Sequence, residues 1–193
     1  MMKFRHIDDA YRTLTGSLLL RSVLNEQYGV PITSQNFSYN AFGKPCLQMD
    51  KQVHFNLSHA GDWCVCAVDW EGIGIDIKKV KSIPRGLEKL LLTGEERQYM
   101  PINQLNDIFF KRWTLTESYV KSIGTGLNTP LDSVEIHQGG DGMIITEHRG
   151  RIYPSGKCKM YDIEEQYKLS VCSLGDNPVF DKDMVQVELS ELI

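Results

Sequence analysis

The chain has 193 residues, enough for one large domain or two small fused ones, and its hydrophobic (41%) and charged (24%) fractions are ordinary for a globular protein. A net charge of −4 argues against a nucleic-acid footprint across the surface, while leaving room for a local basic pocket that takes a small anion. No apolar run approaches the roughly 20 residues that span a bilayer, and no secretory signal opens the chain, so no membrane partner and a cytoplasmic location are expected.

Residues 8–28 read as a helix, with Asp8 as its cap, Leu14, Leu18 and Leu24 broadly on one side, and Gly29-Val30-Pro31 at its end. Residues 37–47 read as a loop containing Gly43 and Pro45. Residues 53–57 form a short strand leading into Ser58-His59-Ala60-Gly61. Residues 63–69 and 73–77 are expected to form a hairpin that turns at Trp70-Glu71-Gly72. The five cysteines contain no Cys-x-x-Cys, and Cys64 and Cys66 alternate with apolar neighbours, so they read as buried reduced thiols. Pro84 marks a break, followed by a helix over 85–92 and another that begins at Thr93. A long helix runs from 105 to 123 and stops at Gly124 and Gly126. The remainder is β-rich (133–138, 143–148, 157–162 and 167–174), with a turn cluster at 139–142. Each half places helix before sheet. An α+β chain of two similar halves is therefore expected, with the join near 80–84.

The segment 72–121 carries most of the chemistry. In Gly-Ile-Gly-Ile-Asp-Ile, Ile73, Ile75 and Ile77 point one way along a strand, and Asp76 and Lys78 the other. A carboxylate held between isoleucines needs a cation, a metal or several donors, unless it sits at the sheet rim. Trp113, Glu117 and Lys121 share one face of the long helix. A Glu–Lys pair at that spacing is also a common solvent-facing helix device. Brought together, the two carboxylates and the lysine would suit a divalent ion and a polyphosphate. Glu96 follows Thr93 at capping-box spacing, so a structural role competes with a catalytic one. Ser58 and His59 could line an anion pocket, and no nucleophile elbow surrounds Ser58. Gly43-Lys44-Pro45 lacks the upstream glycine of a P-loop.

Order and spacing add to these signals. Asp9-Ala10-Tyr11-Arg12-Thr13, Gly43-Lys44-Pro45, Phe55-Asn56-Leu57-Ser58-His59, Gly72 to Ile77, Phe110-Lys111-Arg112-Trp113 with Glu117-Ser118 and Lys121, and Gly124-Thr125-Gly126-Leu127 follow one another along nearly the whole chain. This series resembles the phosphopantetheinyl transferases of the surfactin-synthetase-activating type. The resemblance implies a fold of two α/β halves related by a pseudo-twofold, residues 1–82 and 83–193, with the site in the cleft between them. It implies transfer of 4′-phosphopantetheine from coenzyme A to a serine of an apo acyl or peptidyl carrier protein, with Mg²⁺, by a monomer. Asp76 and Glu117 would then hold the metal, and Glu117 would double as a candidate base. Lys121 would face the diphosphate. Ser58 and His59 would meet the 3′-phosphate, Lys44 and Arg12 the adenine-nucleotide pocket, and Glu96 would assist proton transfer or metal binding.

Three departures accompany the resemblance. Lys78 stands where the family usually has a second acid, and Thr116 where a lysine commonly precedes the glutamate. The basic N-terminal segment is short, with Lys3 and Arg5 as substitutes. Lys78 and Thr116 support an alternative reading, a coenzyme A or carrier-protein binder that has lost turnover. A Mg²⁺-dependent phosphohydrolase would use the same carboxylates but leaves Lys44, Ser58 and His59 without a purpose.

Overall fold

A computed structural model describes residues 7–49, 52–139, 143–150 and 152–192, so Lys3, Arg5 and most of the 139–142 turn cluster lie outside the described residues. Helix α1 (Ile7–Glu26) carries Asp8 and Asp9 in its first turn, where carboxylates meet the positive end of the helix dipole. Its buried face is Gly16, Leu20 and Leu24 rather than the expected Leu14, which is exposed. Leu20 and Leu24 pack with Val30, Val53 and Phe55 into the smaller core.

The stretch expected to be a loop is a small hairpin, β1 (Phe37–Tyr39) paired antiparallel with β2 (Pro45–Leu47). Asn40 organises its turn: the side-chain Oδ1 accepts from the backbone amides of Phe42 and Lys44, and Gly43 takes φ 84°. Strand β3 (His54–Ala60) pairs antiparallel with β4 (Trp63–Asp69) through a turn with Gly61 at φ 56°. β3 runs past residue 57, so Ser58 and His59 are strand residues opposite Val65 and Cys64.

The next strand, β5 (Ile73–Lys79), does not fold back on β4. It pairs antiparallel with β9 (Tyr167–Ser173), at the edge of a five-stranded sheet ordered β5, β9, β8 (Gly156–Tyr161), β7 (Ile144–His148) and β6 (Val134–Gln138). The turn before β5 is held to this sheet instead, since Leu174 donates its amide to the Gly72 carbonyl at 2.8 Å. The sheets therefore divide at residues 70–72, ahead of the join expected near 80–84. The expected helix over 85–92 is confined to α2 (Glu88–Leu91). Thr93 does cap α3 (Gly94–Tyr99), in a capping box completed by Glu96. Helix α4 (Ile102–Ile123) ends where Gly124 adopts φ 76°.

The two faces of β5 are both covered. Ile73, Ile75 and Ile77 pack with Leu169, Val171, Val65 and the partly buried Trp63 and Ala67. The opposite face meets α4, whose Leu115, Tyr119 and Val120 pack onto Cys158, Cys172 and Val134. Contact on this face is backbone to backbone at Gly74, where a Cβ would overlap the Ser118 carbonyl oxygen and the Ser122 amide nitrogen. That glycine sets how closely the helix carrying Glu117 and Lys121 approaches the strand carrying Asp76. Among the described residues, no helix is long and apolar enough to cross a membrane.

Candidate active site

Asp76 is fully buried, 0% exposed, on the face of β5 that meets α4. A carboxylate removed from water this completely must be paired. Lys121 Nζ lies 2.6 Å from its Oδ1, and Lys78 Nζ lies 2.9 Å from Oδ1 and 2.8 Å from Oδ2. Ser58 Oγ donates to Oδ1 at 3.0 Å and itself accepts from Lys121 Nζ at 3.1 Å. Lys121 also donates to the Ile75 carbonyl at 3.1 Å. The approach of Lys78 to Oδ2 is an ion-pair contact, and that oxygen has no aligned hydrogen bond among the described residues.

Asn56, two residues before Ser58, joins the two sheets. Its Oδ1 accepts the Ile75 amide at 3.0 Å, and two residues along β3 Ser58 Oγ accepts the Ile77 amide at 3.4 Å. Side chains of β3 thus satisfy the free edge of β5 where no strand does. An asparagine in a buried strand is the sequence signal for this bridge, since asparagine is depleted from strands.

Glu117 stands one helical turn before Lys121. It is half-buried, and no hydrogen bond or ion pair engages its carboxylate among the described residues. Burial raises its pKa above the usual 4.5, the Asp76 charge raises it further, and Lys78 and Lys121 oppose both. Thr116, its neighbour, is wholly buried with its hydroxyl unpartnered, so its position does not face the site's anion-binding side.

Ser58 and His59 point to opposite faces of β3, as adjacent strand residues must. Ser58 joins Asp76 and Lys121, whereas His59 is exposed at the α1 side near Arg12. The His59 pKa is lowered by burial and then by Arg12, with Asp9 opposing and Lys121 and Lys78 adding to the fall. Arg12 pairs with Asp9 at 2.7 Å and reaches the Gly61 carbonyl at 3.4 Å, tying α1 to the β3–β4 turn. His59 therefore stands in a field of three positive charges.

The other two candidates are engaged elsewhere. Glu96 holds Arg112 in a fork, each oxygen 2.8 Å from a guanidinium nitrogen, and accepts the Thr93 amide. The Arg112 hydrogen bonds bring its pKa down to about 2, and no hydrogen bond or ion pair joins it to Asp76, Glu117 or Lys121 among the described residues. Lys44 directs its ammonium inward, to the carbonyls of Lys121 (2.6 Å), Ile73 (3.0 Å) and Ser122 (3.3 Å). It closes the C-terminal end of α4 against the start of β5, and burial lowers its pKa to about 8. Lys44→Met is accordingly expected to cost about 2 kcal/mol of stability by leaving these carbonyls without their donor. Urea unfolding checks this, and unchanged stability with weakened nucleotide binding would show the lysine to be a ligand contact alone.

Among the described residues, no cluster of three or more His, Cys, Asp or Glu is placed to hold a metal. The donors for a divalent ion are two, Asp76 and Glu117. The Asp76 charge raises the Glu117 pKa, and no hydrogen bond or ion pair engages Glu117 among the described residues. Such a pair fits Mg²⁺, which takes one or two carboxylates and completes its octahedron with phosphate oxygens and water.

The comparisons with known proteins give the family. Residues 1–71 match a family model described as 4′-phosphopantetheinyl transferase, N-terminal, and residues 72–172 match the 4′-phosphopantetheinyl transferase superfamily. The boundary between the two falls where the sheets divide. The 4′-phosphopantetheinyl transferase Sfp of Bacillus subtilis is 36% identical over 99% of this chain and 85% of its own length. The 4′-phosphopantetheinyl transferase gsp of Aneurinibacillus migulanus is 31% identical over 99% of this chain and 80% of its own. The L-aminoadipate-semialdehyde dehydrogenase-phosphopantetheinyl transferase of Mus musculus is 30% identical over 85% of this chain and 57% of its own. With the superfamily model matched over residues 72–172 and a relative 36% identical over 99% of the chain, the chain belongs to the 4′-phosphopantetheinyl transferase family, in its Sfp-like branch.

Proposed function

We propose that this chain transfers 4′-phosphopantetheine from coenzyme A to a serine of an apo acyl or peptidyl carrier protein and releases 3′,5′-ADP. The observation that carries the proposal is the juxtaposition, against one buried aspartate, of Lys121, Ser58 and the unpartnered carboxylate of Glu117. The carrier serine oxygen bonds to the β-phosphorus as the bond from that phosphorus to the 3′,5′-ADP oxygen breaks. Glu117 is the candidate base for the serine proton: no hydrogen bond or ion pair engages it among the described residues, and its pKa is raised. Lys121, held by Asp76 and the Ile75 carbonyl, presents a fixed positive charge to the diphosphate. Mg²⁺, when bound by Asp76 and Glu117, would supply Lewis-acid stabilisation of the leaving diphosphate oxygen. Glu96 serves this reading through its hold on Arg112 and the start of α3 rather than as a base. A monomer in the cytoplasm, without nucleic-acid or membrane partners, completes the proposal.

The reading is tested by following 3′,5′-ADP. Release that requires apo carrier supports transfer, and release from coenzyme A alone would show a phosphohydrolase. Binding of both partners without release would show the inactive binder, a reading that no reported relative favours by name.

The 3′-phosphate is expected to lie at the His59–Arg12 side, where Arg12, Lys121 and Lys78 all act on His59 and Asp9 opposes them. His59→Ala is predicted to weaken coenzyme A about tenfold and 3′-dephospho-coenzyme A little, in line with the loss of one charge-assisted hydrogen bond. Calorimetry with both ligands checks this, and equal losses would remove His59 from that pocket.

A further inference from the structure

Lys78 has no task in the chemistry above, yet it is built into the site. It is the second residue after Asp76 on β5 and so shares its face. Its side chain is 32% exposed while that of Asp76 is 0% exposed, so the ammonium covers the solvent side of the carboxylate. Lys121 takes Oδ1 from the helix side at 2.6 Å, and Lys78 touches both oxygens, at 2.9 and 2.8 Å. It is the ion-pair partner of Oδ2, which has no aligned hydrogen bond among the described residues. A cation arriving from solvent therefore meets an ammonium group where it would meet a carboxylate oxygen. Both Lys78 and Lys121 are already paired with Asp76. A tethered cation also has an advantage over a free one, because it pays no association entropy. The same long, partly exposed side chain can swing clear without disturbing β5.

We propose that Lys78 is a tethered cation that holds the divalent ion's place on Asp76 and yields it when the coenzyme A diphosphate draws the ammonium away. This rests on the transferase reading of the site. It makes Mg²⁺ and coenzyme A bind with positive coupling, and the coupling must be the same measured from either ligand. It also gives the position a function that an acid there could not have: the site declines free Mg²⁺ and accepts it with nucleotide.

The test is calorimetric titration of Mg²⁺ into wild type, Lys78→Gln and Lys78→Arg, each with and without coenzyme A. Lys78→Gln removes the charge and keeps a hydrogen-bond donor, whereas Lys78→Arg keeps the charge. Without coenzyme A, Lys78→Gln is expected to bind Mg²⁺ at least about tenfold more tightly than wild type, and Lys78→Arg to stay within about threefold of it. With coenzyme A the gap between Lys78→Gln and wild type should close to within about threefold. Thermal melts give a second readout, since Mg²⁺ alone should stabilise Lys78→Gln and not wild type. Equal affinities for wild type and Lys78→Gln, no Mg²⁺ binding by Lys78→Gln, or equal tightening by Lys78→Arg would overturn the proposal. Wild type supplies an arm independent of any variant's folding: an Mg²⁺ affinity unchanged by coenzyme A also overturns it. Coenzyme A affinity and carrier modification are measured on the same wild-type preparation. If both are absent, the transferase reading fails. If the carrier is modified while the Mg²⁺ affinities are equal, only the role of Lys78 fails.

Discussion

Glu117→Gln is expected to lower phosphopantetheine transfer by about 100-fold or more, a loss in the range for removing one well-placed electrostatic or proton-transferring group. The substitution keeps the size and the helix, so folding should survive. Among the described residues no hydrogen bond or ion pair engages the carboxylate, and burial and the Asp76 charge disfavour its ionised form. Stability should therefore be unchanged or slightly raised at neutral pH. The sign of the pH dependence follows from the raised folded-state pKa. The folded protein holds the Glu117 proton more tightly than the unfolded chain, so wild type loses stability relative to the variant as pH rises from about 4.5 through the folded value. Above that value the difference is constant. Turnover at saturating Mg²⁺ and coenzyme A, with urea unfolding at acid and neutral pH, checks both parts. Near-wild-type turnover would return Glu117 to the role of an ordinary helix-surface acid.

Gly74→Ala is expected to be among the most damaging single substitutions in the chain. The added methyl would overlap backbone atoms of α4, the Ser118 carbonyl and the Ser122 amide, rather than the movable end of a side chain. Neither element can give way alone: β5 is bonded along its length to β9, and α4 is packed over β8, β9 and β6. Overpacking of this kind costs about 3 kcal/mol or more, at the upper end of the usual range, because the obstacle is main chain on both sides. The Lys121–Asp76 contact at 2.6 Å spans this interface, so coenzyme A affinity should fall with stability. Thermal melts and coenzyme A calorimetry on any soluble fraction give the answer. A variant as stable as wild type would mean that the helix does not lie this close to the strand.

These two residues also show which parts of the molecule the amino-acid pattern made legible. Strong local signals were readable: the long helix now described as α4, the Thr93–Glu96 capping box and the strands of the C-terminal sheet each follow from a pattern within one segment. The faces of Asp76 and Lys121 are readable too, from the strand and helix patterns, but not that the two side chains meet. What was not readable depends on partners far apart in the chain. The β4–β5 hairpin was inferred from adjacency, yet β5 takes a partner nearly a hundred residues later. The β1–β2 hairpin has strands of three residues, too short to show a period, and depends on the side chain of Asn40. Lys44 resembles any loop lysine until α4 arrives with two carbonyls for it. Glu96 offered two roles at one spacing, and Arg112, sixteen residues on, engages both of its oxygens. Strand alternation puts Lys78 on the Asp76 face, and the ion pair with Asp76 shows where its long side chain ends.

The proposed reaction places phosphopantetheine on a carrier serine. Intact-mass spectrometry of an apo carrier protein, incubated with this protein, Mg²⁺ and coenzyme A, tests it most directly. The account predicts a gain of one phosphopantetheine per carrier, abolished when the acceptor serine is replaced by alanine and strongly slowed by Glu117→Gln. A carrier whose mass stays unchanged across both acyl and peptidyl types, while the protein is folded and binds coenzyme A, would contradict it.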